Sequence, residues 1–281
     1  MSAAITVRDL HKSYRNYVAL DGVDLDVTHG EVFALLGPNG AGKTTTIEIL
    51  EGHRARDRGD VAVLDQDPGQ AGDEFRARIG IVGQSQAGAL DELSVDEVVR
   101  HFARYYPRPR DPADLIEVVG LQEKRSARVR QLSGGQRRRL DVALGVIGNP
   151  ELLFLDEPTT GFDPEARRKF WGLVRGLADT GTTVLLTTHY LEEAEALADR
   201  LAVIVGGRIA ASGTPATLGD RTSASATVAW RDADGARSVR TDEPTQVVTE
   251  LAARFGGEVP GLTVSRPTLE DVYLQLIGAE S

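Results

Sequence analysis

The sequence contains no cysteine among its 281 residues. That absence excludes disulfide bonds, catalytic thiols and zinc–thiolate sites together. Long apolar runs are also missing, because the longest, such as Val32–Leu36 and Leu201–Val205, are far shorter than the roughly 20 residues that a helix needs to cross a bilayer. The first residues show no basic segment followed by an apolar core. We therefore expect neither a membrane span nor a secretory signal in this chain.

The sequence has fewer basic than acidic residues. The 32 basic residues face 42 acidic ones, which gives a formal net charge of -10. An acidic chain is a poor candidate for binding the phosphate backbone of nucleic acids, so we expect no nucleic-acid partner. The hydrophobic fraction of 41% and the charged fraction of 26% are typical of a globular protein. The length allows one large domain or two smaller ones.

Apolar patterning predicts an α/β fold. Alternating residues in Ile5–Leu10 and Val23–Val27 predict half-buried strands of an antiparallel layer. From about residue 31 to 205, short apolar strands alternate with helical segments, which predicts a mostly parallel sheet flanked by helices. Residues from about 88 to 148 are predicted to form an inserted helical subdomain. The composition changes after residue 207, and we predict a domain over 1–218 and a small α+β C-terminal domain over 219–281.

A glycine-rich run, GPNGAGKT at residues 37–44, matches the pattern G-x-x-x-x-G-K-[ST] in full. It follows a predicted buried strand and precedes a predicted helix, which is the context that a phosphate-binding loop requires. Its glycines let successive N–H groups face one concavity, and the helix N-terminus adds partial positive charge. In this pattern Lys43 reaches the β- and γ-phosphates and the Thr44 hydroxyl ligates Mg²⁺. The run predicts a nucleotide site.

A second motif, LLFLDE at residues 152–157, is an apolar strand that ends in two acids. Such a strand delivers Asp156 to the carboxyl edge of the sheet, where it can hold Mg²⁺ directly or through water. Glu157 would then point at the γ-phosphate and orient or deprotonate a water molecule. The two motifs together predict a P-loop ATPase.

The pentapeptide LSGGQ at residues 132–136 narrows the prediction, since here the sequence resembles the ATP-binding subunits of ABC transporters. Four further elements of that family are present, and they occur along the chain in the family's order. Tyr14 stands at the adenine-stacking position, Gln84 matches the Q-loop glutamine, Asp163 ends the D-loop PTTGFD, and His189 matches the switch histidine. The D-loop has Phe162 where the family more often has leucine. The resemblance covers residues 1 to about 215.

The resemblance implies the ABC ATPase fold and a head-to-tail dimer that holds two ATP molecules. Ser133 and the signature glycines would close over the γ-phosphate held by the partner's Lys43. Glu157, His189 and Gln84 would be catalytic, and Thr44, Gln84 and Asp156 would hold Mg²⁺. The residues expected to bind ATP are Tyr14, Asn39, Gly40, Ala41, Gly42, Lys43, Thr44, Thr45, Ser133, Gly135, Gln136 and Asp163.

Three longer segments resemble exporters of the daunorubicin-resistance type: residues 37–46, 187–195 and 266–274. Because no span is predicted, the resemblance implies separate permease subunits, a peripheral place on the cytoplasmic face of the plasma membrane, and a drug, antibiotic or lipid-like cargo. Two alternatives stay open, the ATPase of an importer and a soluble regulatory or maintenance ATPase without a permease. No residue of the sequence encodes the cargo.

Two surface features complete the prediction. The cleft beside Gln84, lined by residues 85–105, is expected to contact the permease. The run Arg137–Arg139 lies on the helix after the signature and predicts a solvated or salt-bridged face rather than a nucleic-acid contact.

Overall fold

The computed structural model describes residues 2–83, 90–220 and 224–278. Within these ranges the strands are β1 Ala3–Tyr14, β2 Tyr17–Thr28, β3 Val32–Leu36, β4 Arg58–Val63, β5 Ile79–Val82, β6 Leu152–Asp156, β7 Thr183–Thr188, β8 Arg200–Val205, β9 Arg208–Gly213, β10 Ala226–Asp232, β11 Gly235–Thr241 and β12 Thr263–Ser265. The helices there are α1 Lys43–Leu50, α2 Asp73–Arg78, α3 Val95–Ala103, α4 Pro112–Val118, α5 Gly134–Val146, α6 Pro164–Asp179, α7 Leu191–Leu197, α8 Pro244–Phe255 and α9 Leu269–Gly278. None of these helices is long and apolar enough to cross a membrane.

The central sheet has the strand order β5-β6-β7-β3-β8-β9. Its strands pair in parallel except for β9, which runs antiparallel to β8 at the edge. Every residue of β3 and β7 is buried, as expected for strands that are covered on both faces. The predicted α/β fold with a mostly parallel sheet is confirmed.

Alternate residues of the central strands feed two separate cores. Val32, Ala34 and Leu36 of β3 pack with the helices on one side of the sheet. Phe33 and Leu35 pack on the other side, because successive side chains of a strand point to opposite faces.

An antiparallel sheet, β2-β1-β4, covers the second core, and α1 contacts both this sheet and the central one. The predicted antiparallel layer is therefore present, and β1 and β2 are longer than the alternation indicated. The sequence did not predict β4, whose residues RGDVAV are charged at one end and only half buried.

Three helices of the inserted region, α3, α4 and α5, begin at residues whose side chains accept hydrogen bonds from the first turn. Ser94 caps α3, Asp111 caps α4 ahead of Pro112, and Ser133 caps α5, as short polar side chains do at helix N-termini. Helix α3 ends at Ala103, and the following amides bond back in i→i−3 turns at Tyr105 and Tyr106.

The C-terminal residues divide their contacts. Strands β10, β11 and β12 form a small sheet on which α8 packs, with Val228, Leu251 and Val259 in its core. Helix α9 instead returns to α7 and β8, where Leu269 and Val272 join the main core. The division at residue 218 stays a prediction.

Candidate nucleotide-binding site

The glycine loop joins the end of β3 to the start of α1. Gly40 and Gly42 have φ of 80° and 112°, in the left-handed region that favours glycine. At Gly42 a Cβ atom would lie 2.8 Å from the Ala19 carbonyl oxygen and 2.7 Å from the Leu20 side chain. No other residue fits there without moving the backbone. The turn is further closed by the Ala41 amide, which donates to the Pro38 carbonyl at 3.2 Å.

Lys43 lies under this loop with only 5% of its surface exposed. Its Nζ donates to the carbonyl oxygens of Gly37 and Pro38, at 2.7 and 3.2 Å, and lies 3.7 Å from Glu157 Oε1. Burial lowers the pKa of Lys43, while the charges of Glu157 and Asp156 raise it. Its closest partners are thus neutral carbonyl oxygens, which leaves the ammonium able to pair with an incoming anion.

A cavity of about 380 Å³ lies above the loop. Its lining residues are Tyr14, Tyr17, Ala19, Asn39, Gly40, Gly42, Lys43, Thr44, Thr45 and Glu157. Of the residues predicted to bind ATP before residue 46, only Ala41 is absent from this lining, and its methyl group is buried beneath the loop. At the rim, the Arg54 guanidinium and the Lys12 ammonium lie 5.2 and 5.7 Å from the centre of the Tyr14 ring.

Asp156 and Glu157 stand where β6 ends. The Thr187 hydroxyl donates to Asp156 Oδ1 at 2.5 Å, and the Glu157 amide donates to the Thr187 hydroxyl and carbonyl oxygens at 3.1 and 3.2 Å. Glu157 has φ of 44°, a left-handed conformation that costs a non-glycine residue about 1–3 kcal/mol. The surrounding bonds hold this backbone in place.

His189 follows β7, which lies between β6 and β3 in the sheet. The strand order therefore brings it beside Glu157 and the glycine loop. His189 Nδ1 lies 3.4 Å from Glu157 Oε1, and no hydrogen bond forms at that distance. The same oxygen faces Lys43 Nζ at 3.7 Å, so three predicted residues meet around one carboxylate oxygen.

The signature residues line a different cavity, of about 510 Å³. Ser133 accepts from the Gln136 amide at 3.3 Å, and Gln136 Oε1 accepts from the Ser133 amide at 3.0 Å. Asp163 caps α6 through the Ala166 amide at 2.8 Å. The lining residues are Ser133, Gly134, Gly135, Gln136, Arg139, Gly161, Phe162, Asp163, Glu165, Ala166 and Lys169. This lining shares no residue with the phosphate-loop cavity, although a third cavity, of about 380 Å³, is lined by both Gly134 and Glu157.

Gln84 and residues 85–89 lie outside the described residues. Among the described residues, a partly apolar cleft of about 280 Å³ includes Phe75, Ile81, Phe102 and Tyr106. Glu51 also lines this cleft. Burial, with the nearby charges of Asp156 and Glu48, raises the pKa of this carboxyl to about 8.

The sequence motifs did not identify two further candidate site residues, Tyr17 and Thr187. The Tyr17 hydroxyl donates to the Gly40 carbonyl at 2.7 Å, which places a second tyrosine on the cavity wall. The pair Tyr14 and Tyr17, either side of a tight turn, was the only available signal. Thr187, which orients Asp156, carries no motif of its own.

The expectation for Arg137–Arg139 is wrong in one place. Arg137 is salt-bridged to Asp91 at 2.8 Å, as predicted. Arg138 is 8% exposed and donates only to main-chain carbonyl oxygens among the described residues. Three consecutive residues of an α-helix point about 100° apart, so a run of arginines cannot all face solvent when one side of the helix is buried.

Known proteins resemble this chain over most of its length. The family model described as ABC transporter matches residues 20–160. The chain is 39% identical to the daunorubicin/doxorubicin resistance ATP-binding protein of Streptomyces peucetius, over 98% of this chain and 92% of that protein. It is 38% identical to the Nod factor export ATP-binding protein I of Cupriavidus metallidurans, over 100% and 99% of the two chains.

Solved structures carry the same fold. An ATP-binding cassette of an ABC transporter in its ADP conformation matches with a TM-score of 0.68 at 25% identity, over 76% of this chain and 92% of that one. An ATP-binding subunit of an ABC transporter matches with a TM-score of 0.71 at 23% identity, over 97% and 99% of the two chains. The second similarity extends the shared fold through the C-terminal residues.

Proposed function

This chain belongs to the ABC transporter family, and we propose that it powers the export of a drug, antibiotic or lipid-like compound through separate permease subunits. It is an ATP-binding and ATP-hydrolysing subunit. The names of its relatives, a drug-resistance protein and a Nod factor export protein, favour export over the importer and the permease-free alternatives.

One observation carries the assignment of the site: Glu157 Oε1 lies between Lys43 Nζ and His189 Nδ1, at 3.7 and 3.4 Å. A carboxylate held above the phosphate loop is placed to accept a proton from a water that attacks the γ-phosphate. Lys43 would exchange its loop carbonyls for phosphate oxygens. His189 would then contact the γ-phosphate and respond to its loss.

The oxygen donors at the end of β6 fit a divalent cation. The Thr44 hydroxyl lines the cavity, and the Asp156 carboxylate is oriented by the Thr187 hydroxyl at 2.5 Å. Hydroxyl and carboxylate oxygens are the ligands that Mg²⁺ prefers. Thr44 and Asp156, with Gln84, would hold Mg²⁺, which would neutralise charge on the β- and γ-phosphates when bound. Tyr14 would stack on the adenine.

A second copy of the chain completes each site in the proposal. Supporting this, the signature residues and Asp163 line a cavity apart from the phosphate loop. The amides of Gly134 and Gly135 stand at the N-terminus of α5, where an anion is favoured. In a head-to-tail dimer that terminus would face the γ-phosphate held by the partner's Lys43.

The permease would dock in the cleft that includes Phe102 and Tyr106. The apolar ring faces of this cleft suit an amphipathic helix of a membrane partner. Docking there would hold the chain at the cytoplasmic face of the plasma membrane.

The substitution Glu157→Gln tests this function. Losing such a general base lowers the steady-state ATPase rate by about 10²–10⁴-fold, while Lys43 and the glycine loop still bind ATP. We expect ATP to trap a closed dimer on size-exclusion chromatography. In cells whose drug efflux depends on this chain, the same substitution is expected to abolish that efflux.

The matched control is Glu117→Gln, because Glu117 is exposed on α4, remote from the cavity lining. It should keep both hydrolysis and efflux. A Glu157→Gln protein that hydrolyses ATP within about twofold of wild type would remove Glu157 from the role of general base, since the expected loss is far larger. Loss of hydrolysis with unchanged efflux would overturn the transport function.

A further inference from the structure

Arg138 occupies an unusual environment for a charged side chain. It is 8% exposed, and burial lowers the pKa of its guanidinium, which stays charged at neutral pH. Among the described residues, its hydrogen-bond acceptors are all main-chain carbonyl oxygens. Nε donates to Pro158 at 3.0 Å and Nη2 to Asp156 at 3.0 Å. Nη2 also donates to Val82 at 3.4 Å, and Nη1 donates to Gly83.

Two of these acceptors are the residues on either side of Glu157. Asp156 and Pro158 are thus both bonded to one planar guanidinium, whose fork of donors fixes their relative orientation. Glu157 itself has the left-handed φ of 44°, and its amide is bonded to Thr187. A strained backbone persists only where its surroundings over-determine it. Arg138 supplies a part of that restraint from helix α5.

The helix reaches these carbonyls because α5 approaches β5 very closely. Gly145 lies two turns beyond Arg138, on the same face of α5. A Cβ at Gly80 on β5 would lie 2.1 Å from the Gly145 carbonyl oxygen. The pair of glycines therefore allows direct backbone contact, and the same face of the helix carries Arg138 onto the strand ends.

We propose that Arg138 is a positioning residue for Glu157, holding the carbonyl groups that flank it so that its carboxylate faces the phosphate loop. The proposal rests on the proposed role of Glu157. It also explains why a charge is buried here. Burying a charge is costly, and the charges of Asp141, Asp156 and Glu193 offset only part of that cost, since the pKa of Arg138 is still lowered. An apolar side chain would fill the same space without donating to Asp156 and Pro158.

Because Ser133 caps α5 and Arg138 lies in its second turn, the signature and the restraint on Glu157 belong to one helix. Five residues span about 7.5 Å along a helix axis. A displacement of the signature end of α5 would thus be transmitted to the backbone around Glu157.

The substitution Arg138→Met keeps an unbranched, flexible side chain that can fill the space of the arginine stem, and it removes the donors. We expect kcat for ATP hydrolysis to fall by about 10²-fold, as for a misplaced catalytic group, with the dissociation constant for ATP within about twofold of wild type. Arg138→Lys retains some donors and is expected to give an intermediate kcat. The rates are measured at saturating ATP, beside the melting temperature of each variant.

The matched control is Arg78→Met. Arg78 is a partly buried arginine at the amino end of β5. It pairs at 2.7 Å with Glu151, at the amino end of β6. Its loss should lower the melting temperature and leave kcat unchanged. If Arg138→Met behaves in the same way, the residue is only structural and the proposal is overturned.

A double-mutant cycle with Glu157→Gln makes the test independent of stability. If Arg138 acts through Glu157, adding Arg138→Met to Glu157→Gln lowers the single-turnover rate no further. Multiplying losses would overturn the proposal. An Arg138→Met protein that fails to fold leaves Arg138→Lys, which is tested in the same cycle. Full activity of Glu157→Gln alone would instead refute the proposed function, so the two failures are distinguishable.

Discussion

Three buried ionisable side chains show how the surroundings of a single residue decide whether burial changes its charge. Lys43 keeps its charge among loop carbonyls, and Arg138 keeps its charge among carbonyls at the strand ends. The Glu51 carboxyl lies 3.2 Å from His53 Nδ1, but it is largely buried, and the nearby side chains of Asp156 and Glu48 are acidic. Burial disfavours the charged form of a carboxyl, which raises the pKa of Glu51 to about 8.

The pKa of Glu51 predicts a pH dependence of stability. It is about 8 in the folded protein, against an ordinary glutamate value of 4.5, so the folded state binds a proton that the unfolded chain releases in this window. Stability therefore falls as pH rises from about 4.5 to 8. Glu51→Gln, which cannot ionise, should flatten the profile by up to about 1.4 kcal/mol per pH unit. Urea unfolding at several pH values, without Mg²⁺, measures this.

The control for that measurement is Glu117→Gln, which should follow the wild-type profile because Glu117 is exposed. Parallel profiles for wild type and Glu51→Gln would show that the carboxyl titrates normally.

At this scale the sequence predicted the residues whose chemistry is tied to a motif. Lys43 and Glu157 were identified because the loop and the strand–acid pattern require them at those positions. His189 entered only through resemblance, since nothing local distinguishes it. Arg138 and Glu51 could not be identified, because their roles depend on which carbonyls and charges surround them after folding.

Among the elements, the close contact of α5 with β5 matters most for the position of Arg138. Gly145 and Gly80 allow a helix and a strand to meet without intervening side chains. The sequence predicted a helix after the signature, and α5 lies there. It did not predict the glycine contact, because nothing in a glycine's neighbours along the chain tells which backbone it will meet.

The substitution Gly80→Ala tests this contact. Its Cβ would lie 2.1 Å from the Gly145 carbonyl oxygen and 3.0 Å from Leu153, so α5 must move away. We expect a loss of about 1–3 kcal/mol in unfolding free energy, as for overpacking, and a lower kcat because Arg138 moves with the helix. Denaturant unfolding and ATPase assays measure the two effects.

The control is Gly176→Ala on α6, where a Cβ meets nothing within 4 Å. Alanine in a helix is favoured over glycine by up to about 1 kcal/mol, so this variant should be as stable as wild type or more so. Equal stability of both variants would show that α5 can tolerate the displacement.

The whole molecule has two cores on opposite faces of the central sheet and a smaller third one in the C-terminal region. The chain leaves the main core after Leu218, builds the small sheet with α8, and re-enters the main core at Leu269 and Val272. Composition predicted an α+β tail but not this return, because an apolar stripe on α9 is compatible with packing on either core.

The return of α9 predicts different effects for two similar substitutions. Leu269→Ala, at a site 1% exposed in the main core, should cost about 2–5 kcal/mol and lower the temperature at which ATPase activity is lost. Leu251→Ala, in the small core, should leave that temperature nearly unchanged. Residual ATPase activity after stepwise heating measures both. Equal shifts would mean that the two cores unfold together.

Because α9 packs on the main core, the small sheet lies between two segments that are both anchored there. It is not attached through a single linker. A body tethered at one point can swivel about any axis, whereas one tethered at two can swing only about the line that joins them. The contact of Gly219 with Val272 brings the two tethers side by side, so that line is short. Exchanging this module between related chains therefore requires two junctions, with α9 left in place.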